Sequence, residues 1–195
     1  MCVFCGKSPT PQSECLCTRT KHLGRVVSLW KYEKPVSQLI KNCKYYDKPR
    51  AAILILQFLR TEQLARVLSL VKNCENPTLV PVPPHKDRLQ ERGFDQARLI
   101  AETLSLILAV PVVKKGAVLR ILKTPPQAKQ NSKEDRLKNV LGAFYLTDPK
   151  ELSGKTAVLV DDVLTTGATL ISLAQTIYHY TRLKTAGIVL AHETR

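Results

Sequence analysis

Ala157-Val-Leu-Val-Asp-Asp-Val-Leu-Thr-Thr-Gly-Ala-Thr169 is the stretch from which the fold can be read. Its apolar start, Ala157 to Val160, predicts a strand buried on both faces, because a strand with one wet face would alternate. Asp161 and Asp162 close the strand. Small residues then lead into Thr169 to Tyr180, which reads as a helix. Such a strand–turn–helix unit puts its turn at the carboxyl edge of a parallel sheet, where open α/β proteins bind ligands. Phosphate suits that edge, since the first helical turn offers unpaired N–H groups and the positive end of its dipole. Gly167 allows the backbone to close around an anion, while Thr165, Thr166 and Thr169 add hydroxyl donors. The two acids repel phosphate and suit the hydroxyls of a ribose instead. A turn with an ordinary helix cap is the plainer reading of Thr165-Thr166-Gly167, and the paired acids behind an apolar strand argue against it.

Outward from this unit the chain alternates strand and helix, the pattern of an α/β fold with a parallel sheet covered on both faces. Thr78 to Val82 is a short β-prone run ended by Pro83-Pro84. Asp95 to Leu108 is predicted helical, with Ala97, Ile100, Ala101, Leu104 and Leu108 on one face. Pro111 to Lys114 and Ala117 to Leu122 are strand candidates, and Ala186 to His192 forms a last strand. Thr124 to Lys138 is polar and basic, a loop or the start of a helix. Nearer the N-terminus, Val26 to Tyr32 is β-prone and Ser37 to Asn42 opens a helix. Ala51 to Leu70, free of Gly and Pro, reads as one long helix.

At 195 residues the chain can hold one α/β domain and a small appendage. The hydrophobic share of 44% and charged share of 24% are ordinary. The charge balance is not: 30 Lys and Arg against 16 Asp and Glu give a net charge of +14, which favours nucleic acid, acidic membrane surfaces or phosphorylated small molecules. A basic, merely solvated surface is the alternative. No stretch approaches the ~20 apolar residues of a membrane span, and no signal peptide is legible. The chain is therefore expected in the cytoplasm with its cysteines reduced. Cys2, Cys5, Cys15 and Cys17 crowd a segment too short for a core, and reduced, clustered thiols point to metal. Cys43 and Cys74 stand alone and read as packed thiols.

Asp161-Asp-Val-Leu-Thr-Thr-Gly-Ala-Thr169 is similar, position for position, to the 5-phosphoribosyl pyrophosphate (PRPP) signature of type I phosphoribosyltransferases. The resemblance implies that Asp161 and Asp162 face the ribose 2′ and 3′ hydroxyls. Thr165, Thr166, Gly167, Ala168 and Thr169, reached through Val163, would then hold the 5′-phosphate. Leu79-Val-Pro-Val-Pro-Pro-His-Lys-Asp-Arg-Leu-Gln-Glu-Arg-Gly-Phe-Asp-Gln-Ala97 resembles a block of ComF-type competence proteins. Pro125-Pro-Gln-Ala-Lys129 with Arg136-Leu-Lys-Asn-Val-Leu-Gly-Ala-Phe144 resembles that family's next block, so similarity covers most of residues 25–195. It implies a type I phosphoribosyltransferase-like domain over 25–195, with a hood and flexible loop, after a zinc knuckle over 1–24. Cys2-Val-Phe-Cys5 fits the knuckle, whereas Cys15-Leu-Cys17 has one residue between its thiols where the family has two. Tetrahedral structural zinc remains the simplest account, with His22 as a substitute fourth ligand, against the alternative of a degenerate knuckle that binds nothing.

By the same resemblance the Pro-Val-Pro turn lies in the pyrophosphate loop, with Pro83, His85, Lys86, Arg88 and Arg92 as candidates. Arg92 has an alternative role as an ion-pair partner of Glu91 or Asp95. Lys129, Lys133 and Arg136 match the flexible loop that closes over PRPP, against the alternative of a solvated charge run.

Two functions remain in view. An active transferase would bind PRPP with Mg²⁺, which prefers a substrate's phosphates and water to an all-protein cage; its acceptor, a nucleobase or amine, is not legible. The ComF resemblance implies instead a DNA-uptake factor that binds single-stranded DNA and a helicase-like partner. Lys41, Lys44, Tyr45, Tyr46 and Lys48 suit backbone pairing with base stacking, although the tyrosines could equally pack as a hood over PRPP.

Overall fold

β5 (Ala157–Leu164) lies in a parallel sheet with a packed layer on each face, and that is why its first four residues are all apolar. The computed structural model describes residues 21–45, 50–122 and 142–193, with backbone alone at 43–45 and 50–52. Four strands, β1 (Leu23–Lys31), β2 (Thr78–Pro81), β5 and β6 (Thr185–His192), form one parallel sheet in the order β1-β6-β5-β2. Val158, Val160, Ile188 and Leu190 face a layer of helices: α1 (Val36–Tyr45), α2 (Arg50–Gln57), α3 (Thr61–Lys72) and α5 (Gln96–Leu108). Leu159, Leu164 and Val189 face the opposite layer. There lie α6 (Ala168–Thr181), the 3-10 turn Pro149–Leu152 and a two-stranded antiparallel sheet of β3 (Val118–Arg120) and β4 (Phe144–Leu146). Three layers with apolar residues on both sheet faces are the α/β architecture expected from the strand–helix alternation.

Several elements differ from the sequence reading. Ala51 to Leu70 is not one helix. The chain tightens after α2, where Phe58 N and Leu59 N reach carbonyls three residues back, and Arg60 is extended at φ −87°, ψ 159°. Gln63 accounts for the break: its Oε1 accepts from Arg60 N at 2.8 Å while its Nε2 donates to the Leu29 carbonyl at 2.9 Å. Arg66 donates to the Ser28 carbonyl at 3.1 Å. α3 is thus tied to the open edge of β1, a partner 34 residues away that no local pattern reveals.

Lys86–Arg92 forms a further short helix, α4, capped by His85 at its start and by Gly93 in the left-handed region at φ 74°. Its polar sequence has no apolar stripe, which is why periodicity missed it. Pro111 to Lys114 contributes only a single parallel bridge, Val112 to Leu79. Ala117 to Leu122 shortens to β3, and its partner β4 went unpredicted because three residues are too few to show alternation.

Candidate active site

β5 outruns its neighbour. The β2 ladder ends with Pro81 opposite Val160, and Val82 N makes a last bond to the Val160 carbonyl at 2.9 Å. Pro83 and Pro84 have no N–H to continue it. On its other side β5 stays paired with β6 through Asp161–Val189, Val163–Ala191 and Leu164–His192. The acids therefore lie inside a strand rather than after one, at the point where β5 has lost its β2 neighbour. Such a fork at the carboxyl edge is where α/β sheets open a crevice. Both acids are half-buried. Asp161 Oδ1 accepts from Asp162 N at 2.8 Å and Asp162 Oδ1 accepts from Val163 N at 2.6 Å.

Beyond Leu164 the loop turns on Gly167, whose φ of 77° and ψ of 0° lie in the left-handed region that glycine adopts without strain. Gly167 caps α6, its carbonyl accepts from Ile171 N at 2.9 Å, and Thr166 Oγ1 accepts from Ala168 N at 3.3 Å. Thr165, Thr166 and Thr169 are half-buried around the mouth of the helix. The helix is 14 residues long and has no acid in its first turn, so the positive end of its dipole is not neutralised from within the helix.

Two arginines approach from other elements. Arg120 of β3 is half-buried with its guanidinium 5.5 Å above the Phe144 ring. Burial and the charge of Arg88 on α4 push its pKa down, while Asp161 pulls it up. Arg120, Arg88 and Asp161 therefore share one electrostatic neighbourhood built from β3, α4 and β5. Arg88 was among the sequence candidates. Arg120 was missed, although a single charge inside the apolar run Ala117-Val-Leu-Arg-Ile-Leu122 was a usable signal.

The remaining candidates are distributed unevenly. His85 is buried as the N-cap of α4, its Nδ1 accepting from Asp87 N at 3.3 Å, so its exposed neighbour Lys86 and half-buried Arg92 are the freer cations of that turn. Among the described residues, no ion pair joins Arg92 to Glu91 or Asp95. Lys41 is exposed on α1. The side chains of Lys44 and Tyr45, and all of Tyr46 and Lys48, lie outside the described residues, as do Lys129, Lys133 and Arg136 and the cysteines Cys2, Cys5, Cys15 and Cys17. His22 stacks on Tyr178 with centroids 4.2 Å apart; burial, then Lys21 and Lys184, push its pKa down and favour the neutral ring. Cys74 is a packed thiol whose Sγ lies 3.3 Å from the Leu70 carbonyl, and burial pushes its pKa up, away from reactivity.

The phosphoribosyl transferase domain profile matches residues 94–193, the part of the chain that contains α5, the β3–β4 pair, β5, α6 and β6. The chain is a ComF-type member of the phosphoribosyl transferase family. It is 33% identical over 155 residues to Competence protein F of Haemophilus influenzae, covering 75% of this chain and 63% of that protein. It is 36% identical over 92 residues to Competence protein ComFC of Bacillus subtilis, covering 47% of this chain and 34% of that protein. DNA utilization protein YhgH of Escherichia coli is 30% identical over 182 residues, covering 90% of this chain and 76% of that protein. The chain spans less than two thirds of the length of either competence protein. In this ComF-type chain the profile begins after α4, yet β1 pairs along β6, so residues ahead of the matched segment complete the same sheet. The family ligand is of the phosphoribosyl type, and among the described residues no helix is long and apolar enough to cross a membrane.

Proposed function

We propose that this protein binds PRPP at the β5–α6 loop and acts in the handling of DNA during uptake for natural transformation. One observation carries the ligand: a left-handed Gly167 opens α6 directly after two half-buried acids at an unpaired fork of the sheet. A 5′-phosphate fits the helix start, where free N–H groups and the dipole favour it, and the ribose hydroxyls fit carboxylate acceptors. Arg88, Arg120, Lys86 and Arg92 supply positive charge for the pyrophosphate, with Lys129 and Arg136 as flexible-loop partners. Mg²⁺ suits the donor set, since Asp161 and Asp162 offer hard oxygens and the ligand's phosphates the rest. It would neutralise the charge of a departing pyrophosphate. The names of the relatives support the DNA role.

Isothermal titration tests the ligand. Mg²⁺–PRPP should bind more tightly than ribose 5-phosphate, and ribose 5-phosphate more tightly than adenosine. Equal affinity for adenosine and PRPP would remove the phosphate-loop assignment.

The net charge of +14 favours a second interaction, with single-stranded DNA, through Lys41, Lys44, Tyr45, Tyr46 and Lys48. A helicase-like partner would then pass the strand on. Structural zinc at Cys2, Cys5, Cys15 and Cys17 and a cytoplasmic setting with reduced thiols complete this reading. The alternative is an active cytoplasmic phosphoribosyltransferase on a nucleobase or amine acceptor with no DNA role.

A further inference from the structure

The fork between β2 and β5 accounts for one flank of the loop. On the other flank, where β5 meets β6 and β1, stands a histidine that phosphate binding does not use. His192 ends β6 and is the register partner of Leu164, the residue just before Thr165. Glu193 N donates to the Leu164 carbonyl at 3.0 Å. Paired strands lie about 4.8 Å apart, so His192 is one strand's width from the start of the phosphate loop.

Its surroundings decide the state of the ring. His192 Nδ1 is 3.2 Å from the Trp30 carbonyl oxygen and 3.0 Å from Ser28 Oγ. A carbonyl can only accept, so Nδ1 carries a proton. Ser28 Oγ donates to the same Trp30 carbonyl at 2.8 Å, which leaves its lone pairs for Nδ1–H. Ser28 is buried within β1, while Trp30 and His192 are half-buried. In the neutral ring the Nε2 lone pair is then bare, and among the described residues nothing bonds to it. An imidazole held at one nitrogen by fixed acceptors presents the other as a proton acceptor.

We propose that the carboxyl edge of β6 and β1 is the second-substrate side of the site, where His192 Nε2 accepts the proton of a nitrogen nucleophile, an amine or nucleobase N–H. The inference rests on the PRPP reading. The nucleophile's lone pair forms the bond to C1 of PRPP. The bond from C1 to the pyrophosphate oxygen breaks, its electron pair leaving with pyrophosphate. The nitrogen, cationic after attack, gives its proton to Nε2 and leaves an imidazolium. His192 is the catalytic residue of this step, and Ser28 is a positioning residue that, with the Trp30 carbonyl, holds the ring.

Pyrophosphate release from Mg²⁺–PRPP, with ammonium, adenine, guanine or uracil as probe and buffer alone as baseline, tests the assignment. Wild type should respond to at least one nitrogen probe. His192→Ala should lower that probe-dependent kcat by about 100-fold or more while the KM for PRPP stays within about twofold. Ser28→Ala should give a smaller fall in kcat, again without loss of PRPP affinity. Unchanged turnover in His192→Ala, a response only to water, or a loss confined to PRPP affinity would overturn the proposal. A wild type that binds PRPP in the titration above but answers no probe overturns this inference and leaves PRPP binding standing; one that does not bind PRPP ends both. Should His192→Ala fail to fold, long-range ¹H–¹⁵N correlation on wild type still decides: a proton on Nδ1 and a bare Nε2 are expected, and the opposite tautomer refutes the geometry.

Discussion

Thr185 holds His22 twice, its backbone nitrogen donating to the His22 carbonyl at 3.0 Å and its hydroxyl to the same oxygen at 3.2 Å. The pair marks the amino edge of the sheet, since Leu23 and Thr185 open β1 and β6 in register. Asp161 stands opposite Val189, further along β6 toward the carboxyl edge. Four residues of parallel strand separate the two levels by about 13 Å. β1 therefore starts at the edge of the sheet away from the phosphate loop.

Metal removal should accordingly spare ligand binding. Elemental analysis should find about one zinc per chain. After chelation the PRPP affinity should change by no more than about twofold, the result expected of sites that do not couple. A large loss of PRPP affinity on chelation would mean that the knuckle contributes to the site.

Asp161→Asn and Asp162→Asn keep an oxygen for the neighbouring Asp162 and Val163 nitrogens but remove the charge. Each should weaken PRPP binding by about 1.5–3 kcal/mol, the range for hydrogen bonds to charged groups. The melting temperature should move little. Calorimetric titration showing wild-type affinity in the folded double variant would end the ribose assignment.

Gly167→Ala forces a side chain into the left-handed region at φ 77°. Urea unfolding should show a loss of about 1–2 kcal/mol, together with weaker PRPP binding. Gly154, with φ 66° and no atom within 4 Å of an added Cβ, precedes β5 on the amino side. Gly154→Ala should show a similar stability cost with PRPP affinity unchanged, which separates backbone strain from the binding role.

Asp95 caps α5, its Oδ1 accepting from Arg98 N at 3.0 Å. Burial raises its pKa, against the lowering effects of the Arg98 amide and the Arg98 charge. A carboxyl raised in the folded state contributes stability below its unfolded pKa and loses it as pH rises through the folded value. Asn caps as well as Asp. Asp95→Asn should therefore match wild type near about pH 3, below the unfolded value, and exceed its stability at neutral pH. Urea midpoints at the two pH values check this; a less stable variant at neutral pH would mean that the charge has a partner of its own.

Single-stranded DNA should bind weakly and with strong salt dependence. A footprint of four to six cations gives a slope of roughly −3 to −4 in log K against log salt. Tyr45→Ala with Tyr46→Ala should cost about 1–3 kcal/mol per stacked base and leave that slope nearly unchanged, whereas charge reversal at Lys41, Lys44 and Lys48 should flatten it. If the tyrosine variant binds DNA normally and loses PRPP, the aromatics belong to a hood.

Local sequence was sufficient for the first half of β5, for α6 and for the glycine turn before it, because each is encoded by neighbours. A continuous apolar run suits a strand covered on both faces, and a glycine between threonines and a helix suits a left-handed cap. The α/β class and the family followed from the same stretch and from the Pro-Val-Pro and Arg-Gly-Phe-Asp-Gln blocks. α4 and β4 escaped because they are too short or too polar to show a period, and the split of α2 from α3 because Gln63 reaches Leu29 across the chain.

The site owes more to tertiary structure. Nothing within Ala157 to Thr169 states that β2 stops one residue before Asp161 and so opens the fork beside it. Nothing near Arg120 states that it shares a neighbourhood with Arg88 and Asp161, and nothing near His192 reveals its contacts with Ser28 and the Trp30 carbonyl, 164 and 162 residues away. Periodicity and turn chemistry report which elements a segment forms, since they arise from contacts between residues close in the chain. Which strand ends first, and which side chains then meet across the gap, is decided by pairing register between distant segments, and only the folded sheet contains it.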